Sequence, residues 1–214
     1  YAREIAVYGR AGTMRVGGAF EILDYNDLDI GGTHKVMFDG IGEQKIDITS
    51  GSNSINQLYI YNENTVFRGN VNIAELMTDA EIRSDRFGFN NMNLNGHSLK
   101  VVGDVSSNGI LNLIEGKLEI EGNLVQPSGE IRCMKGKLYV TGDYRILTES
   151  TDEFGDKQYT PSTGCLYMEY EEDEVDVDGG FYTCNSRHGY AREIAVYGRA
   201  GTMRVGGAFE ILDY

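Results

Sequence analysis

Tryptophan is absent from this chain, proline occurs twice, and cysteine and histidine occur three times each in 214 residues. Scarce proline beside 28 glycines, with abundant Val, Ile, Leu, Tyr and Thr, disfavours helices and disorder and points to strands joined by tight turns. Basic residues are also few: 19 Lys and Arg stand against 33 Asp and Glu, a formal charge of −14. Nucleic acid and anionic membrane surfaces both want a basic face, so neither is an expected partner. No apolar run reaches the length of a spanning helix, so no membrane insertion is expected. The acidity reads first as solubility and is compatible with cation binding.

Signatures of catalysis and of metal binding are missing too. His34, His97 and His188 stand at no metal-ligand spacing, and there is no C-x-x-C or H-E-x-x-H. There is no G-x-S-x-G, and "GRAGTMRVGG" lacks the following helix that a phosphate loop needs. No catalytic residue and no resident cofactor are expected, and the chain reads as a non-enzyme. One Ca²⁺ candidate stands apart: "DYNDLDIGG" gathers Asp24, Asn26, Asp27 and Asp29, but Leu28 fills the fifth place of an EF-hand order, leaving a non-EF loop. The acidic run "EYEEDEVDVDGG" carries Glu169, Glu171, Glu172, Asp173, Glu174, Asp176 and Asp178. Its last three acids alternate with Val175 and Val177, which reads as one solvated strand face.

What the chain has is repetition. Met92-x-Leu94 leads to Leu99-x-Val101-x-Gly103-Asp104-Val105, Leu111-x-Leu113 to Leu118-x-Ile120-x-Gly122-Asn123-Leu124, and Ile131-x-Cys133 to Leu138-x-Val140-x-Gly142-Asp143-Tyr144. Weaker copies start at Leu58 (with Thr65-x-Phe67-x-Gly69) and Met168, and the tails of two more at Met14 and Met203. Between Gly40 and Leu58, and between Ile73 and Phe87, the motif has no clear place. Each apolar pair has the period of a strand with one face inward. A repeat of about 19–20 residues is too short for crossover helices and matches one coil of a single-stranded parallel β-helix. Right-handed winding is expected, as for other parallel crossovers.

That architecture assigns columns. Leu99, Leu118 and Leu138 form one inward column, and Val101, Ile120 and Val140 the next. Gly103, Gly122 and Gly142 mark a corner that calls for positive φ, and Asp104, Asn123 and Asp143 stack beside them as a structural column. The polar stretches 24–33 and 149–163 read as loops thrown out from corners, the usual place for insertions in a solenoid. Tyr59 and Tyr61 alternate with Leu58 and Ile60, so they face outward and are candidates for contact with a sugar or a neighbouring fibre. Cys133 takes an inward slot as a buried thiol. Cys165 and Cys184 are each placed nine or ten residues from Val175, which puts them at one position of consecutive coils and makes them a candidate disulfide.

The segments "MNLNGHSLKVVGDV", "LEIEGNLVQPSGEIRCMKGKLYVTGDYRI", "GTHKVMFDGIGEQKI" and "GGFYTCNSRHGY" resemble an uncharacterised family of long repetitive surface proteins of anaerobic Gram-positive bacteria. Period and composition alone are similar to filamentous-haemagglutinin adhesins. The resemblance implies a secreted or wall-associated solenoid, and no catalytic residues travel with it. Ala19 and Ala208 depart from the family pattern at the Asx position.

The first 25 residues, "YAREIAVYGRAGTMRVGGAFEILDY", recur without change from Tyr190 to Tyr214, an offset of 189. Residues 1–189 therefore read as one unit and 190–214 as the start of the next identical unit, a window on a tandem array and a piece of something longer. An open β-helix has two raw edges. In an array each unit covers the edge of the one before it. The expectation is a structural module of an extracellular or cell-surface fibre, stalk or adhesin, with itself as head-to-tail partner. The alternative is a β-helix that binds or cleaves carbohydrate, to be tested at Asp24 and Glu172.

Overall fold

The computed structural model describes residues 4–22, 26–48, 53–84, 87–184 and 195–212. Every regular element among them is a strand, and the strands belong to one continuous, almost wholly parallel sheet. The chain is a single-stranded parallel β-helix. One ladder of register partners climbs it: Gly9, Ile30, Ile55, Ile73, Met92, Leu111, Ile131, Leu166 and Val196. A second runs Ile22, Ile48, Gly69, Phe87, Val105, Leu124, Tyr144, Phe181 and Phe209. Each ladder names nine rungs. The eight steps between them span about 38 Å at the ~4.8 Å spacing of hydrogen-bonded strands.

The alternation of apolar and polar residues explains why the rungs close on a dry centre. In Lys117–Glu121 and Ser98–Val102 every second residue is buried and its neighbours are not. Leu99, Leu118 and Leu138 are successive register partners, flanked by Ala80 on one side and by Val175 and Met203 on the other. Val101, Ile120 and Val140 stand in the next column, between Ile82 and Val177. All six are at most 2% exposed. On the third face aromatics meet edge to face: Phe67 and Phe87 at 5.3 Å, Tyr144 and Phe181 at 5.2 Å.

The strand Ala80–Arg83 fills the stretch where the motif had no place. Its register also corrects the phase of the weaker copies. Thr65 pairs with Ile82 and so belongs to the column of Val101, not to that of Leu99. Met14 pairs with Val36, which pairs with Leu58, whereas Met203 pairs with Val175 in the column of Leu99. Both long ladders carry the same offset, 187 residues from Gly9 to Val196 and from Ile22 to Phe209, two fewer than the 189 separating the duplicated texts. A slip of two residues leaves every inward side chain inward, so hydrophobic patterning cannot detect it.

The two insertions differ from the loop expectation. Asn26–Phe38 is a 13-residue strand that turns a corner within itself, with its register irregular between Ile30 and Lys35. Residues Tyr144–Thr151 and Lys157–Pro161 form the antiparallel hairpin of the chain, Glu149 opposite Tyr159. Asp152 closes its turn by accepting from Phe154 N and Asp156 N, both at 2.9 Å.

Candidate functional site

The corner column is a hydrogen-bonded ladder. Asp104 Oδ1 accepts from Asn123 N at 2.7 Å and from Asn123 Nδ2 at 3.0 Å. Asn123 Oδ1 accepts from Asp143 N, and Asp143 Oδ1 accepts from Gly180 N, each at 2.9 Å. The glycines beside it serve two needs. Gly103 has φ 134, which an L side chain avoids. Gly122 and Gly142 do not have positive φ; a Cβ there would stand 2.5 Å from Gly103 O or Asn123 Oδ1. Close stacking of the rungs, not backbone conformation, demands glycine at these two corners.

Sequence reasoning missed a second stack of turns. Asn95 and Gly96, Ile114 and Glu115, and Met134 and Lys135 all have positive φ on successive rungs. Gly96 N donates to Ile114 O at 2.8 Å and Glu115 N to Met134 O at 3.1 Å. Asparagine ladders run beside them: Asn91 Nδ2 donates to Asn72 Oδ1, and Asn112 Nδ2 to Asn93 Oδ1. The recurrence of Asn at a spacing of 19 was the available signal for these.

Cys165 and Cys184 require a correction: all three cysteines are thiols. Cys165 opens the strand Cys165–Met168 and pairs in register with Glu130, while Cys184 ends Phe181–Cys184 and pairs with Leu212. They lie on different strands of one rung, because Val175 sits on the strand between them. Counting nineteen residues across that rung mistook two faces for two coils. Cys133 is fully buried, and burial pushes its thiol up to about 12.

The acidic candidates are spent on structure. Asp29 forms a bidentate pair with Arg10, both contacts at 2.8 Å, which lowers its carboxyl below the ordinary range. Asp24 lies outside the described residues, as do the side chains of Asn26 and Asp27. The backbone from Asn26 onward is strand, not loop. In the run around Glu172, Asp173 is buried and caps a turn, accepting from Glu169 N and Lys135 N at 2.6 Å. Glu174 pairs with Lys137 at 2.9 Å, which lowers its carboxyl, and Asp176 pairs with Arg204 at 3.3 Å. Tyr59 and Tyr61 stack at 6.1 Å, Tyr61 exposed and Tyr59 half-buried. His34 Nδ1 lies 2.7 Å from Ala11 O, and His97 lies 3.6 Å from Asp79. His188 lies outside the described residues.

The two ends of the stack hold the feature with most to say. Thr13–Val16 and Thr202–Val205 are the same text, the same four-residue strand, and have the same burial pattern. Gly12 and Gly201 turn with φ 101 and 89. The first copy pairs upward: Val7 with Leu28, Met14 with Val36, Phe20 with Ile46. The second pairs downward: Val196 with Leu166, Met203 with Val175, Phe209 with Phe181. One sequence makes one coil and presents it from both sides.

Set against protein-family models, curated proteins and solved structures, this chain matches none. The functional reading therefore rests on its own geometry.

Proposed function

We propose that the chain is a structural repeat module of a long extracellular fibre, stalk or adhesin, in which units stack head to tail into a stiff rod. The observation that carries this reading is the duplicated coil. Superposing its two copies puts Leu166 below and Leu28 above Val7, Val175 and Val36 around Met14, and Phe181 and Ile46 around Phe20. All six flanking residues are buried in their own rungs. Inward columns thus run through the junction without a polar interruption, and the raw edge of each unit is covered by the next. The mechanism is mechanical: continuous backbone pairing and a dry apolar centre resist bending, and repetition supplies length.

The resemblance to repetitive surface solenoids supports placing the rod outside the cell. Electron microscopy of the protein from its natural source tests the reading. Rods with an axial repeat of about 38 Å, eight rungs at the strand spacing, are expected. Compact particles without an axial repeat would overturn it.

A further inference from the structure

The same residues stand in two states at the two ends. Ile22 is 4% exposed under its neighbouring rung, whereas its counterpart Ile211 is 65% exposed. Phe209 is 59% exposed, while its counterpart Phe20 packs edge to face on Phe38 at 5.8 Å. Arg10 grips Asp29, whereas Arg199 lies 5.0 Å from the ring of Tyr197 and meets no carboxylate among the described residues. Backbone groups repeat the contrast. Arg10 O accepts from Thr33 N, Gly12 O from Lys35 N and Val16 O from Asp39 N, at 2.9 to 3.3 Å. Gln44 Nε2 adds bonds to Val16 O and Gly18 O. The matching carbonyls of Arg199, Gly201, Val205 and Gly207 face the open end, with no rung over them among the described residues.

We propose that residues 4–22 are a built-in cap: they occupy, on Asn26–Phe38 and Gln44–Ile48, the site that the 195–212 coil of a second copy of this chain fits. The proposal rests on the head-to-tail reading. The second copy is the occupant because its coil has the same text as the cap, residue for residue, and carries the apolar and carbonyl groups that the site takes. Simple end-to-end contact of the two copies is a poorer fit. It sets Arg10 over Arg199, Arg15 over Arg204 and Glu21 over Glu210, like charges directly opposite on neighbouring strands. In the capped site the same groups meet Asp29 and Asp39. A tethered cap competes at an effective concentration of order mM, so separate chains at μM stay closed. Loosening the cap, without touching the last coil, opens the site and yields a non-closing, head-to-tail polymer.

The test uses the full chain and makes one change in two places. Met14→Asp with Val16→Asp damages the cap, and Met203→Asp with Val205→Asp damages the coil that would dock. Analytical ultracentrifugation of the unaltered chain at μM concentration is expected to give a 23.7 kDa monomer. The cap variant is expected to show a weight-average mass about twofold or more higher, rising with concentration. The last-coil variant, and the variant carrying all four changes, are expected to stay monomeric. Far-UV circular dichroism and a cooperative melt check that the central rungs remain folded. Arg10→Glu, a surface change facing Asp29, gives the same result in weaker form. A monomeric cap variant with folded central rungs would overturn the proposal. So would polymers of the unaltered chain, which mean end stacking, or polymers in the four-change variant, which mean nonspecific association. A covalent array needs no exchange between chains, so these failures leave the rod reading to its own microscopic test.

Discussion

The rungs from Met92 to Ile131 and those from Gly9 to Ile73 obey the same inward-outward pattern but differ in regularity. Along the first ladder the later rungs advance by 19 and 20 residues, Met92 to Leu111 to Ile131. The earlier ones advance by 21, 25 and 18, from Gly9 through Ile30 and Ile55 to Ile73. The later rungs carry the Asp104–Asn123–Asp143 ladder and the stacked positive-φ turns. The earlier ones carry register irregularities at Ile30/Lys35 and Val71/Asn72. Period-two patterning decides which side chains go inside, whereas corners decide the phase. Where corners are stacked and bonded, coils keep one length; where they are not, coils drift by whole strand periods.

The largest effect expected from this contrast is chemical. Burial pushes the Cys133 thiol from 9.0 up to about 12. At pH 8 its thiolate is then about a thousandfold scarcer than that of an unperturbed thiol. Alkylation followed by mass spectrometry should find Cys133 protected in the folded chain and reactive in denaturant. Equal rates in the two states would place it outside a packed rung. The sign for stability follows. The raised pKa contributes stability that is fully present below about pH 9 and is lost as pH rises from 9 towards 12.

Next in size, Leu118→Ala removes a fully buried side chain with rungs on both sides, and a loss of about 2–5 kcal/mol is expected in urea unfolding. Met14→Ala, in a half-buried residue of the first rung, should cost about 1 kcal/mol or less. Similar losses at the two sites would break the distinction between centre and end. Asn123→Ala deletes two side-chain bonds of the corner ladder and should cost about 1 kcal/mol. Asn108→Ala, where the side chain holds one 3.3 Å contact to Ser106, should cost close to nothing. The smallest effect has the opposite sign. Ile114 has φ 45 at a turn position that Asn95 fills on the adjoining rung. Ile114→Asn should therefore raise stability by about 0.5–1 kcal/mol in the same assay.

Much of this was legible in the letters. The parallel β-helix, the inward residues and the Asx corner follow from spacing, because stacked rungs of like length repeat their side chains at like positions. The phase of the earlier rungs was not, since a slip of two residues leaves Thr65 and Phe67 inside either way. The strand character of Asn26–Phe38 was hidden by its polar residues, whose partners, Arg10 for Asp29 and Arg15 for Asp39, lie a full rung away in sequence. The same distance misled the reading of Cys165 and Cys184, since the rung that holds them is longer than its neighbours.

Engineered disulfides test the central claim, that one text forms one coil able to pair on either side. Arg15 and Met37 are register partners, and so are Asp176 and Arg204. Arg15→Cys with Met37→Cys, and separately Asp176→Cys with Arg204→Cys, should each give an intramolecular bond on mild oxidation, mapped by peptide mass. Absence of either bond in folded protein, or a bond between Cys introduced at 15 and 176 within one chain, would contradict it.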